Sequence, residues 1–335
     1  MPDERRPRSV TRDDVARYAG VSTAVVSYVI NDGPKPVAPL TRERVLDAIR
    51  VLGYRPNAAA RALSLGSADM FGLLVYDNRS PFFAELCHAL DQASAESGRS
   101  LLIVNSDRTQ VETAEQIRDL ISRQISGLII ADVLTAREQA LVEALGIPAV
   151  VIGQFGETDG LHSVGVDFCA GTRATTGHLL EHGYTDIAFA GSAARYDERE
   201  RGWREAIADA GHTPGMLLHV PFGYQGGYEA GVRLAEAETR PRAVVAASDQ
   251  IAIGILAAFG ERGVRVPEDV AVTGFDGTMV ADYVWPRLTT AVQPLEQMAQ
   301  VAVQALISPD PDAQHRELTA QLRVRESCGC AHAGD

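Results

Sequence analysis

Two short strings in this chain carry side chains that could hold a metal. His178-Leu179-Leu180-Glu181-His182 spells His-x-x-Glu-His, in which two imidazoles one helical turn apart could bind zinc beside a carboxylate base. Cys328-Gly329-Cys330 offers two thiols close together. Neither string shows a further ligand or an acid–base partner near it. The histidines precede Gly183-Tyr184 and read as a helix end, where imidazoles suit the helix dipole. The cysteines lie in the last segment, 328–335, which reads as a reduced, disordered tail. No metal and no cofactor is therefore expected. There is no Gly-x-Gly-x-x-Gly fingerprint, Walker loop or Gly-x-Ser-x-Gly elbow, so the chain is not expected to be an enzyme.

The remaining chemistry is electrostatic. The formal net charge is −13, yet it is unevenly spread. Residues 1–66 hold eleven Lys and Arg against seven Asp and Glu, and the remainder holds 20 against 37. A small basic head on an acidic body implies that only the head meets phosphate. With 335 residues the chain exceeds one ordinary core, so two or three domains are expected. Its 46% hydrophobic and 22% charged residues describe a folded globular protein. No apolar run reaches the roughly 18 residues of a membrane span, and Met1–Ser9 lacks a secretory apolar core. Four cysteines make no disulfide framework, so the expected location is the cytoplasm, without membrane contact.

The elements that position the basic head are legible as helices. Thr11 can cap a first helix that has Asp13 and Asp14 in its first turn, and Gly20 can end it. Ser22 can cap a second helix, with Val26, Val29 and Ile30 on its apolar side. Thr41 is expected to cap a third, whose apolar face is Val45, Ala48, Ile49 and Leu52 and which Gly53 closes. Two short helices across a tight turn, braced by a third, make the helix-turn-helix plan, although a three-helix module for protein contacts has the same pattern.

The finer text narrows this. Val10-Thr11-x-x-Asp14-Val15-Ala16-x-x-Ala19-Gly20-Val21-Ser22-x-x-x-Val26-Ser27-x-Val29-x-Asn31, followed by Thr41-Arg42-x-x-Val45 and Gly53-Tyr54-x-Pro56-Asn57, resembles the headpiece of the lactose-repressor (LacI/GalR) family. The resemblance implies that the second helix enters the major groove, with Thr23, Ala24 and Tyr28 facing bases. It implies phosphate-side roles for Thr11, Ser22, Ser27, Asn31, Tyr54 and Asn57. Tyr28 departs from the family, which usually has an arginine there, so the half-site sequence does not transfer. The stretch 57–67, Ala-rich and containing Leu63, is expected to be a hinge helix that orders on DNA. Leu63 would wedge into the minor groove.

From Met70 onward short apolar runs alternate with helical stretches. The runs are Phe71–Val75, Leu101–Val104, Gly127–Ile130 and Ala149–Ile152, then Ile187–Ala190, Ala243–Ala247 and Val270–Thr273. Buried strands alternating with helices imply parallel, doubly wound sheets, and two sets imply two lobes around a ligand cleft. The pattern resembles the periplasmic-binding-protein-like body of the same family. Supporting strings are Asp77-x-x-Ser80-Pro81-Phe82-Phe83, Arg199-x-x-Gly202-Trp203, Ser248-Asp249-x-x-Ala252-x-Gly254, Gly274-Phe275-Asp276 and Val324-Arg325-Glu326-Ser327. The loops so identified nominate Arg199 and Asp249 as a guanidinium and a carboxylate that together could hold sugar hydroxyls or a nucleobase edge. A simple inter-lobe salt bridge between them is the alternative. Phe83 and Phe222 offer flat apolar walls, and Asp77, Gln154 and Asp167 are secondary candidates.

The expected architecture is thus a small all-α helix-turn-helix headpiece (1–56), a hinge (57–67), an α/β body of two doubly wound lobes (68–327) and a tail (328–335). The expected function is a ligand-responsive, sequence-specific DNA-binding transcriptional regulator acting as a repressor. Its partners would be double-stranded DNA with a palindromic operator, a sugar or other small polar effector, and a second copy in a homodimer. No leucine heptad repeat is read near Cys330–Asp335, so a dimer and not a tetramer is expected. A transport-type small-molecule binding protein is the alternative.

Overall fold

Local capping shapes the N-terminal unit. Thr11 and Asp14 form a reciprocal capping box, with the Thr11 N–H donating to Asp14 Oδ2 at 2.9 Å and the Asp14 N–H donating to Thr11 Oγ1 at 3.3 Å. This starts α1 (Arg12–Ala19). Gly20, left-handed at φ 65°, ends it and turns the chain into α2 (Thr23–Ile30). The third helix, α3 (Pro39–Leu52), begins two residues before the expected Thr41 cap. Pro39 explains the shift, because its fixed φ and missing N–H suit the first helical position. Val15, Ala16, Ala19, Val26, Val29, Val45 and Ala48 are buried together, with Ile49, Leu52 and Tyr54 packed around them.

The computed structural model describes residues 10–30, 35–54, 69–106, 112–153, 160–192, 198–309 and 315–331. The chain divides into two units, Met1–Ala68 and Asp69–Asp335. The hinge segment 57–67, with Asn57 and Leu63, lies outside the described residues, as do Asn31 and Gln154. Among the described residues no helix is long and apolar enough to cross a membrane.

The second unit holds two six-stranded sheets. The first lobe is built from β1 (Met70–Val75), α4 (Pro81–Glu96), β2 (Ser100–Asn105), α5 (Thr113–Ser122), β3 (Gly127–Ala131), α6 (Ala136–Ala144), β4 (Ala149–Ile152) and β5 (His162–Val166). The second contains α7 (Phe168–Glu181), β6 (Ile187–Gly191), α8 (Glu198–Asp209), β7 (Leu217–His219), α9 (Tyr224–Ala235), β8 (Ala243–Ala246), α10 (Asp249–Glu261), β9 (Ala271–Asp276) and β10 (Thr289–Val292). The chain then returns to the first lobe for α11 (Leu295–Ile307) and β11 (His315–Leu318), and crosses again to β12 (Gln321–Arg323).

Strand order is β11-β5-β4-β3-β1-β2 in one sheet and β12-β10-β9-β8-β6-β7 in the other. The pairs are parallel except β10 with β12. The two orders repeat one doubly wound plan, and each reverses beside its first strand. Ligands bind such sheets at the carboxyl ends of the strands near that reversal. Seven strands coincide with the apolar runs of the sequence. The charged edge strand β11 and the short β12 carry no such run, because edge strands face water.

The chain end departs from the expected disordered tail. A 3-10 turn, Glu326–Cys328, inserts Cys328 fully buried into the core of the second lobe. Polar anchors hold it there. Ser327 Oγ donates to the Val272 carbonyl at 2.6 Å, and buried Arg325 donates to the Leu288 carbonyl at 2.6 Å and to Asp282 at 2.7 Å. The tail boundary at 328 therefore cuts through packed structure.

Candidate effector site and DNA-binding surface

The second helix of the N-terminal unit has two unlike faces. Val26 and Val29 point into the core. Thr23 and Ala24 are exposed, while Ser27 and Tyr28 are half-buried one turn further on. At 100° per residue these four share one face. Ser22 Oγ accepts from the Val25 N–H at 3.4 Å, so the hydroxyl sits at the helix N-terminus, the end that favours phosphate. Thr11 is exposed, and Tyr54 follows the Gly53 cap half-buried against the core. The face is small and uncharged, and Arg12, Arg42 and Arg44 on the flanking helices are exposed. Such a surface can read base edges by shape, hydroxyl and ring contacts.

In the body, the site grows from the carboxyl ends of β6, β8 and β9. Arg199 stands in the first turn of α8. Its guanidinium carbon lies 3.8 Å from the Phe168 ring centroid, 4.9 Å from Phe275 and 5.8 Å from Phe222. Three rings thus cradle one planar cation, and the rings hold it flat. Gly202, one turn further along α8, lets α8 lie directly on α7. A Cβ there would fall against the Cys169 carbonyl, closer than real Cβ atoms approach.

Asp276 is a buried carboxylate within electrostatic reach of this arginine. It ends β9 at φ 113°, a backbone region costly for any side chain, and is buried. Gln293 donates both from its side chain to Asp276 Oδ1 (2.9 Å) and from its N–H to the Asp276 carbonyl (3.0 Å). Burial pushes the Asp276 carboxyl well above the usual range, while the nearby Arg199 charge draws it back down and Asp249 pushes it further up.

Asp249 corrects the expectation for it. It is fully buried at the first position of α10. Oδ2 accepts from the Thr278 N–H at 2.7 Å and its hydroxyl at 3.0 Å, and Oδ1 accepts from the Thr290 hydroxyl at 2.6 Å. The carboxylate packs on β9 where a Cβ at Gly274 would stand 2.5 Å from Oδ1. Asp249 therefore braces the loop that follows Asp276 and presents no oxygen to solvent. Burial raises its carboxyl, and the Thr290 and Thr278 hydrogen bonds oppose that.

The secondary candidates divide. Asp77, on the first lobe, is locked in a fork with Arg79 at 2.9 and 3.0 Å. Asp167 caps α7, accepting from the Ala170 N–H at 2.7 Å. Phe83 is half-buried on the first lobe, against Tyr76 and Phe82, and Phe222 stays half-exposed at the Arg199 cradle. The structure thus unites Arg199 and Phe222 with Phe168, Phe275 and Asp276, three residues not nominated above. Gly274-Phe275-Asp276 carries the signal, since it directly follows the expected strand Val270–Thr273 at its carboxyl end. Among the described residues, hydrogen bonds reach from lobe to lobe: Ser80 Oγ donates to Gln250 Oε1 at 3.1 Å, and the Met279 N–H donates to Glu85 at 2.9 Å.

Comparison with known proteins fits both regions. Residues 11–57 match the family described as bacterial regulatory proteins, lacI family, and residues 176–328 match a periplasmic binding protein-like domain. The HTH-type transcriptional repressor PurR of Photobacterium profundum is 30% identical over 328 residues, covering 95% of this chain and 98% of PurR. Among solved structures, the lac repressor dimer bound to operator and the anti-inducer ONPF superposes with a TM-score of 0.86 at 26% identity, covering 96% of this chain and 99% of that one. The transcriptional regulator CelR in complex with cellobiose gives 0.70 at 30% identity, covering 95% and 99%.

Proposed function

This chain belongs to the lacI family of bacterial regulatory proteins, and we propose that it represses transcription under the control of a hydroxyl-rich small effector, a sugar, held by Arg199 and Asp276. It is a ligand-responsive, sequence-specific DNA-binding regulator with an N-terminal helix-turn-helix and a two-lobed ligand-binding body. The transport-type alternative falls away, because a transport protein has no use for the headpiece.

The observation that carries the effector assignment is Arg199 stacked on Phe168 beside the buried Asp276. A guanidinium fork donates to two neighbouring hydroxyls, and a carboxylate accepts from two more. The rings supply apolar walls for a sugar face. The cellobiose complex of CelR supports this ligand class. The remaining assignments rest on the same reading. Thr23, Ala24 and Tyr28 read bases, and Thr11, Ser22, Ser27 and Tyr54 stand on the phosphate side. Two copies bind a palindromic operator as a dimer, as the lac repressor dimer does its operator. The protein works in the cytoplasm and performs no catalysis.

A ligand between the lobes would favour whichever lobe arrangement holds it better, and so shift the equilibrium between arrangements that the Ser80–Gln250 and Glu85–Met279 hydrogen bonds also bias. The test is a thermal-shift screen of sugars on the full chain, followed by calorimetry on Arg199→Lys. Lysine keeps the charge but loses the planar fork. Losing one to two charge-assisted hydrogen bonds costs about 1.5–3 kcal/mol, roughly a 10- to 150-fold weaker Kd. Wild-type affinity in Arg199→Lys would refute the assignment.

A further inference from the structure

The His-x-x-Glu-His string and the Cys-Gly-Cys string, 150 residues apart, meet in the folded chain. His178 lies in the last turn of α7 and His182 is its C-cap, so the two imidazoles share one face. The chain end comes back to them through the turn Glu326–Cys328. Gly329, at φ 101°, lets Cys328 and Cys330 face the same side. His178 Nε2 lies 3.2 Å from Cys328 Sγ and 3.6 Å from Cys330 Sγ, and His182 Nε2 lies 3.1 Å from Cys330 Sγ. One ligand atom from each of the four residues falls within 4.8 Å of every other.

Those spacings have a specific meaning. Zinc binds thiolate sulfur at about 2.3 Å and imidazole nitrogen at about 2.0–2.1 Å, so the edges of a tetrahedral S2N2 shell run about 3.3–3.8 Å. The three N···S separations, 3.1, 3.2 and 3.6 Å, fall within or just under that range, and drawing the four ligand atoms, now within 4.8 Å of one another, onto one ion needs a side-chain shift of about 1 Å. Packing and weak N–H···S hydrogen bonds would need only one histidine against one thiol. Here two of each converge on one point. We propose that His178, His182, Cys328 and Cys330 form a tetrahedral zinc(II) site that staples the C-terminal segment to the end of α7.

The surroundings suit a cation. The carbonyl end of α7 carries the negative pole of its dipole. Thr289 Oγ1 stands 3.1 Å from Cys328 Sγ and can donate to a thiolate there. Cys328 is buried and His182 exposed, so the metal has an inner anchor and an open side for entry. On binding, each thiol gives its proton to solvent and each imidazole stays neutral. Two thiolates then cancel the dication, leaving no net charge against the core. All four positions are filled by protein, which makes the site structural and leaves Glu181 no catalytic part. The soft thiolates with imidazoles select zinc over magnesium or calcium.

The test uses the full chain, stripped of metal by a chelator under reducing conditions and titrated with Co(II) as the spectroscopic probe. The expected result is one ion per chain, with thiolate-to-cobalt charge transfer and tetrahedral ligand-field absorption that Zn(II) abolishes. Zinc should protect two thiols from a thiol reagent and raise the melting temperature. Cys330→Ser and His182→Gln, both at the open side, should each weaken binding at least about a hundredfold, since even outer partners of a metal cost 10- to 100-fold. Circular dichroism checks that each variant folds, and thiol protection in the wild type stands without them. A spectrum lacking charge transfer, equal affinity in both variants, or a Cys328–Cys330 disulfide in place of metal would each overturn the proposal.

Discussion

Replacing Asp249 by alanine should damage the fold of the second lobe as well as the response to effector. The carboxylate is fully buried and accepts three hydrogen bonds, from the Thr278 N–H, the Thr278 hydroxyl and the Thr290 hydroxyl. Alanine leaves three donors buried in a site that has closed around the missing group. Each orphaned donor costs about 1–3 kcal/mol, offset by removal of a costly buried charge. A net loss of about 3–4 kcal/mol is a fair sum, with the hydroxyls partly relieved by rotation. For a unit of this size about 2–4 °C of melting temperature follows each kcal/mol, so the transition should fall by roughly 6–16 °C. Differential scanning calorimetry on ligand-free wild type and variant reads this directly, and urea unfolding should show a lower midpoint at an unchanged slope. An Asp249→Ala protein that melts like wild type while losing only effector binding would refute the bracing role and return Asp249 to the ligand.

Three further outcomes follow from the same geometry. Gly202→Ala should press α8 away from the Cys169 carbonyl, costing about 1–3 kcal/mol, and should weaken effector binding by moving Arg199, measured by calorimetry on both properties. Asp276 and Asp249 have carboxyls raised by burial. The folded chain then holds protons that the unfolded chain has lost, so the stability from these groups is present at low pH and declines as pH rises through the folded-state values. Melting temperatures across roughly pH 5 to 8 should show that decline in the wild type and a weaker one in Asp276→Asn. In the headpiece, Tyr28→Ala should lower discrimination between operator and random DNA while leaving the salt slope nearly unchanged, because base contacts specify and phosphate contacts set the slope.

What was legible in the sequence was legible for physical reasons. Six of the seven strands that coincide with apolar runs are inner strands, and a parallel strand buried on both faces has no polar side to show; the seventh, β2, carries its run at a partly exposed edge. Thr11, Asp14 and Gly20 marked α1 because capping is a local transaction between neighbours. Arg199 was found because its string is distinctive, and the structure then supplied Phe168 and Phe275, whose rings reach it from α7 and β9. The sequence nominates Asp249 and not Asp276, because both are carboxylates near strand carboxyl ends and their spacing does not rank them. Only the fold shows that one is spent on Thr278 and Thr290 while the other lies within electrostatic reach of the arginine. The Cys328-Gly329-Cys330 string read as tail because its partners, His178 and His182, are distant in sequence and adjacent only through the return of the chain end to α7.

The most direct test of the central claim is fluorescence anisotropy of the full chain on DNA from upstream of its own gene, with salt and effector varied together. The account predicts tight binding to one palindromic site, affinity that falls steeply with salt, and an operator affinity shifted by the sugar that the thermal screen identifies. In Arg199→Lys the salt dependence should remain while the shift by that sugar should need roughly 10- to 150-fold more sugar. Equal affinity for operator and random DNA, or a sugar that binds the body without changing operator affinity, would contradict it.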